Sequence, residues 1–542
     1  KTQKTSCWVI SARPQSLSDK EKKLFCRNQS NVIDCSMYVQ PGGHHIPAPA
    51  DDNITWTRLF KADPDAGDGD DDDDDDNLSI EPDMTNGKIL LGLCDTCYLV
   101  FYAAGMFVAG HIADHTPLNR FLAVGMIGSG VFVAMVGLAH KFEVHGMWYF
   151  YLIYSFQGLF QATGWPAVVA VMDNWFGKRT RGFVMGVWNA HTSIGNILGS
   201  VISGWALSLG LNGNDWPAPF YISGGLIATM GLIVLLFLPN HPKDLGLDVE
   251  PDPPDEEEDN ADAPTINALR GNLLEASVDS EQSAKKRHSF FRALCIPGVL
   301  EFAFALFFCK FVAYMFIYWL PYYLAHNNFS PSVSANLSTA FDFGGILGGI
   351  VAGFTSDRLR KRSPIAFLYL AMSIPSLYMY RVLTKSIASS GDSFESMVSY
   401  NVLLMLLCGF FVNGPYALIT TAVSADLGNH PSLQGDQSLT ATVTGIIDGT
   451  GSIGASIQGV LIGAVTSSCD WDAVFYLLMI ACSLSALCLL RLVWKDAPSG
   501  RCRRFYQICV VIFLLGAGAV VIYCISEIVS SCHVISCDSK WA

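Results

Sequence analysis

Long apolar runs alternate along this chain with short polar breaks. A helix crossing a bilayer needs about 20 consecutive apolar residues. Runs of that kind stand at roughly 88–110, 119–140, 148–173, 182–208, 219–239, 298–325, 336–354, 364–385, 398–424, 438–467, 471–494 and 505–528. The pattern predicts an all-α polytopic membrane protein with twelve visible spans.

The breaks differ in charge, and the difference orients the spans. One set carries Arg120, then Lys178, Arg179 and Arg181, then Lys285, Lys286, Arg287 and Arg292, then Arg358, Arg360, Lys361 and Arg362, then Arg491 to Arg504. The alternate breaks carry almost no such charge. Basic loops stay in the cytoplasm, so residues 1–87 are expected on the opposite, lumenal side. The sequons at Asn28, Asn53 and Asn77 suit glycosylation there. The seven aspartates at 70–76 read as a solvated stretch. A calcium loop is excluded, because Gly67 stands where a ligand is required and no glutamate closes the loop.

Composition agrees with a membrane protein. The 542 residues are 51% hydrophobic and only 15% charged, against about 25% charged in soluble domains. The net charge of −14 arises mainly from 70–76 and the acidic stretch 248–259. No basic face accompanies a nucleic-acid module, so nucleic acid is not an expected partner. Of the sixteen cysteines, many lie in apolar runs. Cys7, Cys26, Cys35, Cys469, Cys532 and Cys537 fall on the lumenal side, where disulfides form if the compartment is oxidising. No HExxH signature, catalytic constellation or cofactor motif is present.

Two turns repeat. "VAGHIADHTPLNR" at 108–120 and "VAGFTSDRLRKR" at 351–362 both read Val-Ala-Gly, three residues, Asp, then a basic end, with an offset of 243. Repeated halves mark many secondary transporters. Gly110 and Gly353 would let helices approach, Asp114 and Asp357 would cap or pair across a gate, and Arg120 and Arg358 would hold its cytoplasmic end. The first motif follows the first visible span of its half, whereas the second follows the second. The repeat therefore predicts one helix before residue 1, with "ISARPQS" at 10–16 as its tail; the chain starts at Lys1. The expected organisation is 1–87 as a lumenal loop with a truncated first helix and 88–239 as an N-terminal bundle. A cytoplasmic linker at 240–297 leads to a C-terminal bundle at 298–495, and 505–528 is an extra span.

The stretch "QATGWPAVVAVMDNWFGKRTRGFVMGVWNAHTSIGNILG" at 161–199 resembles the organophosphate:phosphate antiporters of the major facilitator superfamily. It looks closest to the sugar phosphate exchangers, relatives of the glucose-6-phosphate transporter. "YWLPYYL" at 318–324, "FDFGGILGGIVAGFTSDRLRKR" at 341–362 and "FVNGPYALI" at 411–419, which holds Asn413, carry the same likeness in the second half. It covers about 88–495. The resemblance implies two pseudo-symmetric six-helix bundles rocking about a central site, and exchange of a sugar phosphate for inorganic phosphate. It also implies an endoplasmic reticulum membrane and a monomer or weak dimer. Departures exist: the bacterial site histidine falls at Thr192, beside His191, and a second-helix lysine found in many members aligns with Met106.

Polar residues within the spans are the candidate site. A lysine at mid-bilayer costs roughly 2.5–3.5 kcal/mol on insertion scales, so it faces a cavity or a partner. Lys310 lies near the middle of its span, as phosphate anchor or as a structural pair with a carboxylate such as Asp342. His191 and Asn189 serve either substrate or helix packing. Asp95, Asp342 and Asp448 pair with cations, bind hydroxyls or carry protons. Arg13 is the candidate first-helix phosphate clamp. Arg381, near a helix end, is expected to snorkel. Gly345, Gly349 and Gly353 recur every fourth residue, as do Gly195, Gly199 and Ser203, a pattern of close helix packing. The cations at 178–181 serve topology and the gate latch. A transporter of another organic anion, a channel or receptor, and a membrane phosphatase are the rival readings; no filter loop or catalytic cluster favours the last two.

Overall fold

The computed structural model of the chain describes residues 84–144, 146–177, 180–208, 217–247, 289–326, 331–390, 394–430, 433, 439–469, 471–496 and 501–538. Arg13, the segment 10–16, the three sequons, Lys178, Arg179 and the bulk of the linker lie outside the described residues.

The regular elements among the described residues are helical. The N-terminal bundle contains α1 (Met84–Ala113), α2 (Leu118–Lys141), α3 (Met147–Gln161), α4 (Gly164–Trp175), α5 (Arg181–Ser208) and α6 (Ala218–Phe237). A single 3-10 turn, Pro242–Leu245, follows, and the short α7 (Ser289–Leu294) resumes beyond the linker. The C-terminal bundle contains α8 (Val299–His326), α9 (Pro331–Leu359), α10 (Ser363–Ser390) and α11 (Phe394–Leu418). It continues through α12 (Ser424–Gly428), α13 (Thr440–Ser468) and α14 (Trp471–Lys495), and α15 (Arg501–Asp538) comes last. The twelve expected spans coincide with these helices.

Two spans are interrupted, each for a local reason. The run expected at 148–173 is two helices, α3 and α4. Pro166 has no amide hydrogen and stands third in α4, where a helix leaves that donor unpartnered anyway. The chain turns at Ala162 and Thr163 and restarts there. In the second case Pro415 lies inside α11, and the buried turn Ile419–Val423 that follows is π-helical. Its side chains return hydrogen bonds to the loosened backbone: Thr421 Oγ1 donates to the Ala417 carbonyl at 2.6 Å and Ser424 Oγ to the Ile419 carbonyl at 2.8 Å.

Seven helices among the described residues are long and apolar enough to cross a membrane, within α1, α2, α6, α8, α10, α11–α12 and α14. The helices α5, α9 and α13 fall outside that set. Asn189 and His191, Asp342, and Asp448 lower their hydropathy, together with many glycines, serines and threonines. These are the helices that meet across the two bundles: α5 lies along α9, and α1 lies along α13. By contrast α6 leaves Leu236 and Phe237 about three-quarters exposed, as a lipid-facing helix does.

Glycine sets the closeness of both crossings. A Cβ on Gly110 would collide with the Ala441 carbonyl oxygen at the start of α13. A Cβ on Gly353 would collide with the Gly182 carbonyl oxygen at the start of α5. Beyond the bundles, α15 packs on α14 and α10, with Tyr523 edge-on to Tyr476 at 5.8 Å and Phe513 edge-on to Phe367 at 4.7 Å.

Candidate substrate site and gate

Lys310 stands eleven residues into α8, about 16 Å along its axis, and is 1% exposed. Its Nζ lies 2.8 Å from Asp448 Oδ1 on α13 and donates to Ser452 Oγ at 3.0 Å. Ser452 Oγ in turn donates to the Asp448 carbonyl at 2.8 Å. Two rings flank the ammonium: Tyr314 at 5.8 Å and Tyr416 at 5.7 Å to their centroids. Tyr102 of α1 comes within electrostatic reach of Asp448, so the pair sits where the two bundles face each other. The carboxylate facing Lys310 is Asp448, with Asp342 buried separately on α9. A desolvated ion pair survives only with its remaining donors and acceptors satisfied, which Ser452 does here.

The other candidates occupy neighbouring positions. His191 is half-buried, with its ring 4.4 Å from Trp188 and stacked at 6.4 Å on Trp165. Its Nδ1 is engaged by the Trp188 carbonyl. Asn189 buries its side-chain oxygen without a hydrogen-bond partner among the described residues. Asn413 packs against Gly345 at the α9–α11 crossing, where a Cβ would come within 2.5 Å of its Nδ2. Asp95 is half-buried on α1 and near Tyr98. Arg381 does not snorkel freely: it is paired with Asp472 at 2.9 Å and lies 4.2 Å over the Tyr476 ring.

The face with the basic loops is held shut by two helix caps and a charge network. Asp114 accepts from the backbone amides of Ala441 (3.0 Å) and Thr442 (2.8 Å), and from the Thr442 hydroxyl. Asp357 accepts from the amides of Gly182 (3.0 Å) and Phe183 (2.7 Å). Each carboxylate thus meets the unpaired amides and positive end of a helix in the other bundle. Burial pushes the Asp114 carboxyl up to about 6, against the opposing pull of its bonds to Thr442 and Ala441.

Between the caps, Arg181 contacts Asp173 and bonds Asp426 at 2.8 Å. Arg362 bonds Asp426 at 2.8 Å and Asp357 at 2.5 Å. Burial alone would lower the Arg362 guanidinium, but Asp426 and Asp357 outweigh it and hold it above its ordinary value. Asn429 and Thr440 donate to Asp173 at 2.6 and 2.7 Å. The cations that join this network are therefore Arg181 and Arg362. Arg120 and Arg358 are exposed, and Arg358 lies 5.1 Å over the Phe354 ring.

Two helical bundles, capped reciprocally at one face and enclosing a paired cation where they meet, have the architecture of a membrane transporter. The profile described as Major Facilitator Superfamily matches residues 79–438. The putative glycerol-3-phosphate transporter 1 of Arabidopsis thaliana is 45% identical over 432 residues, 77% of this chain and 79% of that protein. The glucose-6-phosphate exchanger SLC37A2 of Xenopus tropicalis is 43% identical over 422 residues, 76% of this chain and 81% of that protein. Among solved structures, the proton:xylose symporter XylE bound to 6-bromo-6-deoxy-D-glucose superposes with a TM-score of 0.56 at 13% identity. That match covers 77% of this chain and 88% of XylE. The human organic anion transporter MFSD10 (TETRAN) gives 0.51 at 15% identity, covering 74% of this chain and 84% of that one. The chain belongs to the major facilitator superfamily and, within it, to the sugar phosphate exchanger family of organophosphate:phosphate antiporters.

Proposed function

We propose that this protein exchanges a sugar phosphate of the glucose-6-phosphate class for inorganic phosphate by alternating access, with Lys310 as the phosphate anchor. The observation that carries the reading is the Lys310–Asp448 pair, 1% and 3% exposed, at the meeting of the bundles. A buried ammonium needs an anion at every stage of a cycle. Asp448 supplies it when no substrate is present, and a phosphate oxygen takes its place during transport through a charge-assisted bond. Relatives named as a glucose-6-phosphate exchanger and as glycerol-3-phosphate transporters support the phosphate-ester class.

The sugar is met by neutral groups. The unpartnered oxygen of Asn189 accepts from a sugar hydroxyl, and His191 contributes one further hydrogen bond. Asp95, Asp342 and Asn413 line the path, and Arg13 adds a second phosphate cation. The network of Asp114, Asp357, Arg181 and Arg362 is the cytoplasmic gate in its closed state. The membrane is that of the endoplasmic reticulum, with residues 1–87 in the lumen and glycosylated at Asn28, Asn53 and Asn77.

Labelled glucose-6-phosphate uptake into proteoliposomes tests the exchange. Vesicles loaded with phosphate should take up label much faster than vesicles loaded with chloride. Equal uptake from both would contradict exchange, and absence of uptake from both would contradict the substrate class.

A further inference from the structure

Three rings form one layer in the N-terminal bundle. Trp165 of α4 lies 5.4 Å from Trp188 of α5, Trp188 lies 4.4 Å from His191, and Trp165 stacks on His191 at 6.4 Å. All three residues are half-buried, so the layer is not sealed inside a core. Trp165 also reaches into the other bundle. Its Nε1 donates to the Thr420 carbonyl at 3.1 Å, within the π-helical turn Ile419–Val423. Thr420 is fully buried, and a buried carbonyl that loses its donor is costly.

This bond lies apart from the charge network. At the helical rise per residue, Trp165 stands about 12 Å along its helix from Asp173, and Trp188 about 10 Å from Arg181. Thr420 stands about 9 Å along the chain from Asp426. The bond is therefore one layer deeper in the membrane than the network. On its other side, the Thr420 hydroxyl donates to the Tyr416 carbonyl at 2.9 Å, and the Tyr416 ring flanks Lys310 Nζ at 5.7 Å. One indole thus touches the residues proposed for the sugar and holds the turn that joins Tyr416 to Asp426.

We infer that Trp165 is the positioning residue that makes opening of the cytoplasmic gate respond to the sugar. The inference rests on the exchange proposed above and adds how the substrate is sensed. Alternating access parts the bundles at the gate, so the Trp165–Thr420 bond breaks as the gate opens. A ligand shifts such an equilibrium only through contacts that differ between the two states. The caps at Asp114 and Asp357 lie at the gate face, away from the aromatic layer, and the sugar offers nothing in return for their loss. Trp165 differs, because its ring belongs to the layer beside Asn189 and His191. A pyranose has an apolar C–H face that packs on aromatic rings. A hexose phosphate resting on this layer competes with the geometry that aims the indole N–H at Thr420. Inorganic phosphate has no such face, so it engages Lys310 and leaves the indole in place. The sugar ester should open the gate further than phosphate does.

Maleimide labelling of Ala425→Cys from the cytoplasmic side, normalised to exposed Cys295, tests this with saturating inorganic phosphate or glucose-6-phosphate. With Trp165 present, glucose-6-phosphate should accelerate labelling about threefold to tenfold more than phosphate does, the range one hydrogen bond commands. Trp165→Phe keeps a ring and removes the donor. Its labelling without ligand should rise by a similar factor, and the two ligands should then act alike. Arg181→Ala should raise labelling without ligand yet preserve the difference between the ligands, because it loosens the gate away from the layer. Equal acceleration by both ligands with Trp165 present would overturn the inference whether or not the variants fold. A sugar-selective response that survives Trp165→Phe would also overturn it. Phosphate-driven uptake reports the exchange separately. Exchange with equal labelling would leave the exchange standing and refute the coupling, whereas sugar-selective labelling without exchange would do the reverse.

Discussion

Asp114 and Asp357 make the same contact from opposite bundles. Asp114 follows α1 and caps the first amides of α13, while Asp357 near the end of α9 caps the first amides of α5. Each is accompanied by a glycine, Gly110 or Gly353, that lets the capped helix come close. The duplicated sequence motif is therefore a duplicated inter-bundle clasp, and its parts fail in distinguishable ways.

Arg181 is the bridge between the clasps. It is 4% exposed and held by Asp173 of its own bundle and Asp426 of the other. Arg181→Ala leaves Asp173 without its cation and Asp426 with Arg362 alone. After discounting for the partial exposure of Asp426, the closed state should lose ~1–2 kcal/mol, roughly tenfold in the open population. A cysteine replacing buried Ala425 should then react faster with an impermeant maleimide added from the cytoplasmic side. Unchanged reactivity would show that the arginine does not hold the gate.

Gly353→Ala puts a methyl group against the Gly182 backbone, which has no side chain to rotate away. Overpacking of this kind costs about 1–3 kcal/mol, and here it falls on the closed state. Thermal midpoint and exchange rate should both fall. Gly225→Ala, where the space around the Cβ is open, should leave both near wild type. Equal behaviour of the two variants would contradict the close-approach account.

Asp114 gives the clasp a pH dependence with a definite sign. Its carboxyl is pushed up to about 6 by burial in the closed state, whereas a solvated aspartate titrates near 3.9. The closed state thus binds the proton more tightly, and lowering cytoplasmic pH from about 7 towards 5 favours closure. Maleimide labelling of the Ala425→Cys variant, normalised to exposed Cys295, should slow across that window. Asp114→Asn should abolish the response. Faster normalised labelling at low pH would reverse the sign and refute the assignment.

Much of this architecture was legible because membrane burial writes long patterns. Twelve apolar runs mark helices whose ends agree with the structure within about five residues, except that α15 runs on to Asp538, past the expected end at 528. The site was legible in part. A lysine in mid-span announces that it needs an anion, but Asp95, Asp342 and Asp448 offer similar local signals, and only the α8–α13 packing selects Asp448. The capping aspartates Asp114 and Asp357 were visible through their repeat. Asp173, Asp426 and Asn429 were not, since each is one polar residue at a helix end and its partner lies about 250 positions away. The break at Pro166 and the π-turn after Pro415 had a signal in the prolines themselves, which the continuous hydropathy of both runs obscured.

The final helix packs on α10 and α14 and lies apart from Lys310 and the clasps. Its removal replaces protein contacts by lipid contacts, a weaker penalty than exposure to water. Deletion of 500–542 should lower the thermal midpoint by a few degrees and leave exchange in reconstituted protein largely intact. Complete loss of exchange in folded protein would place α15 in the transport machinery.

The anchoring role of Lys310 is tested most directly by phosphate-driven uptake of labelled glucose-6-phosphate in three proteins side by side: wild type, Lys310→Ala, and Lys310→Ala with Asp448→Ala. The single variant strands a buried carboxylate and should lose about 3–5 kcal/mol of stability together with nearly all uptake. The double variant removes the stranded charge, so its thermal midpoint should recover while uptake stays near background. Recovery of uptake with wild-type phosphate affinity in the double variant would show that the ion pair only holds α8 to α13, and that phosphate is anchored elsewhere.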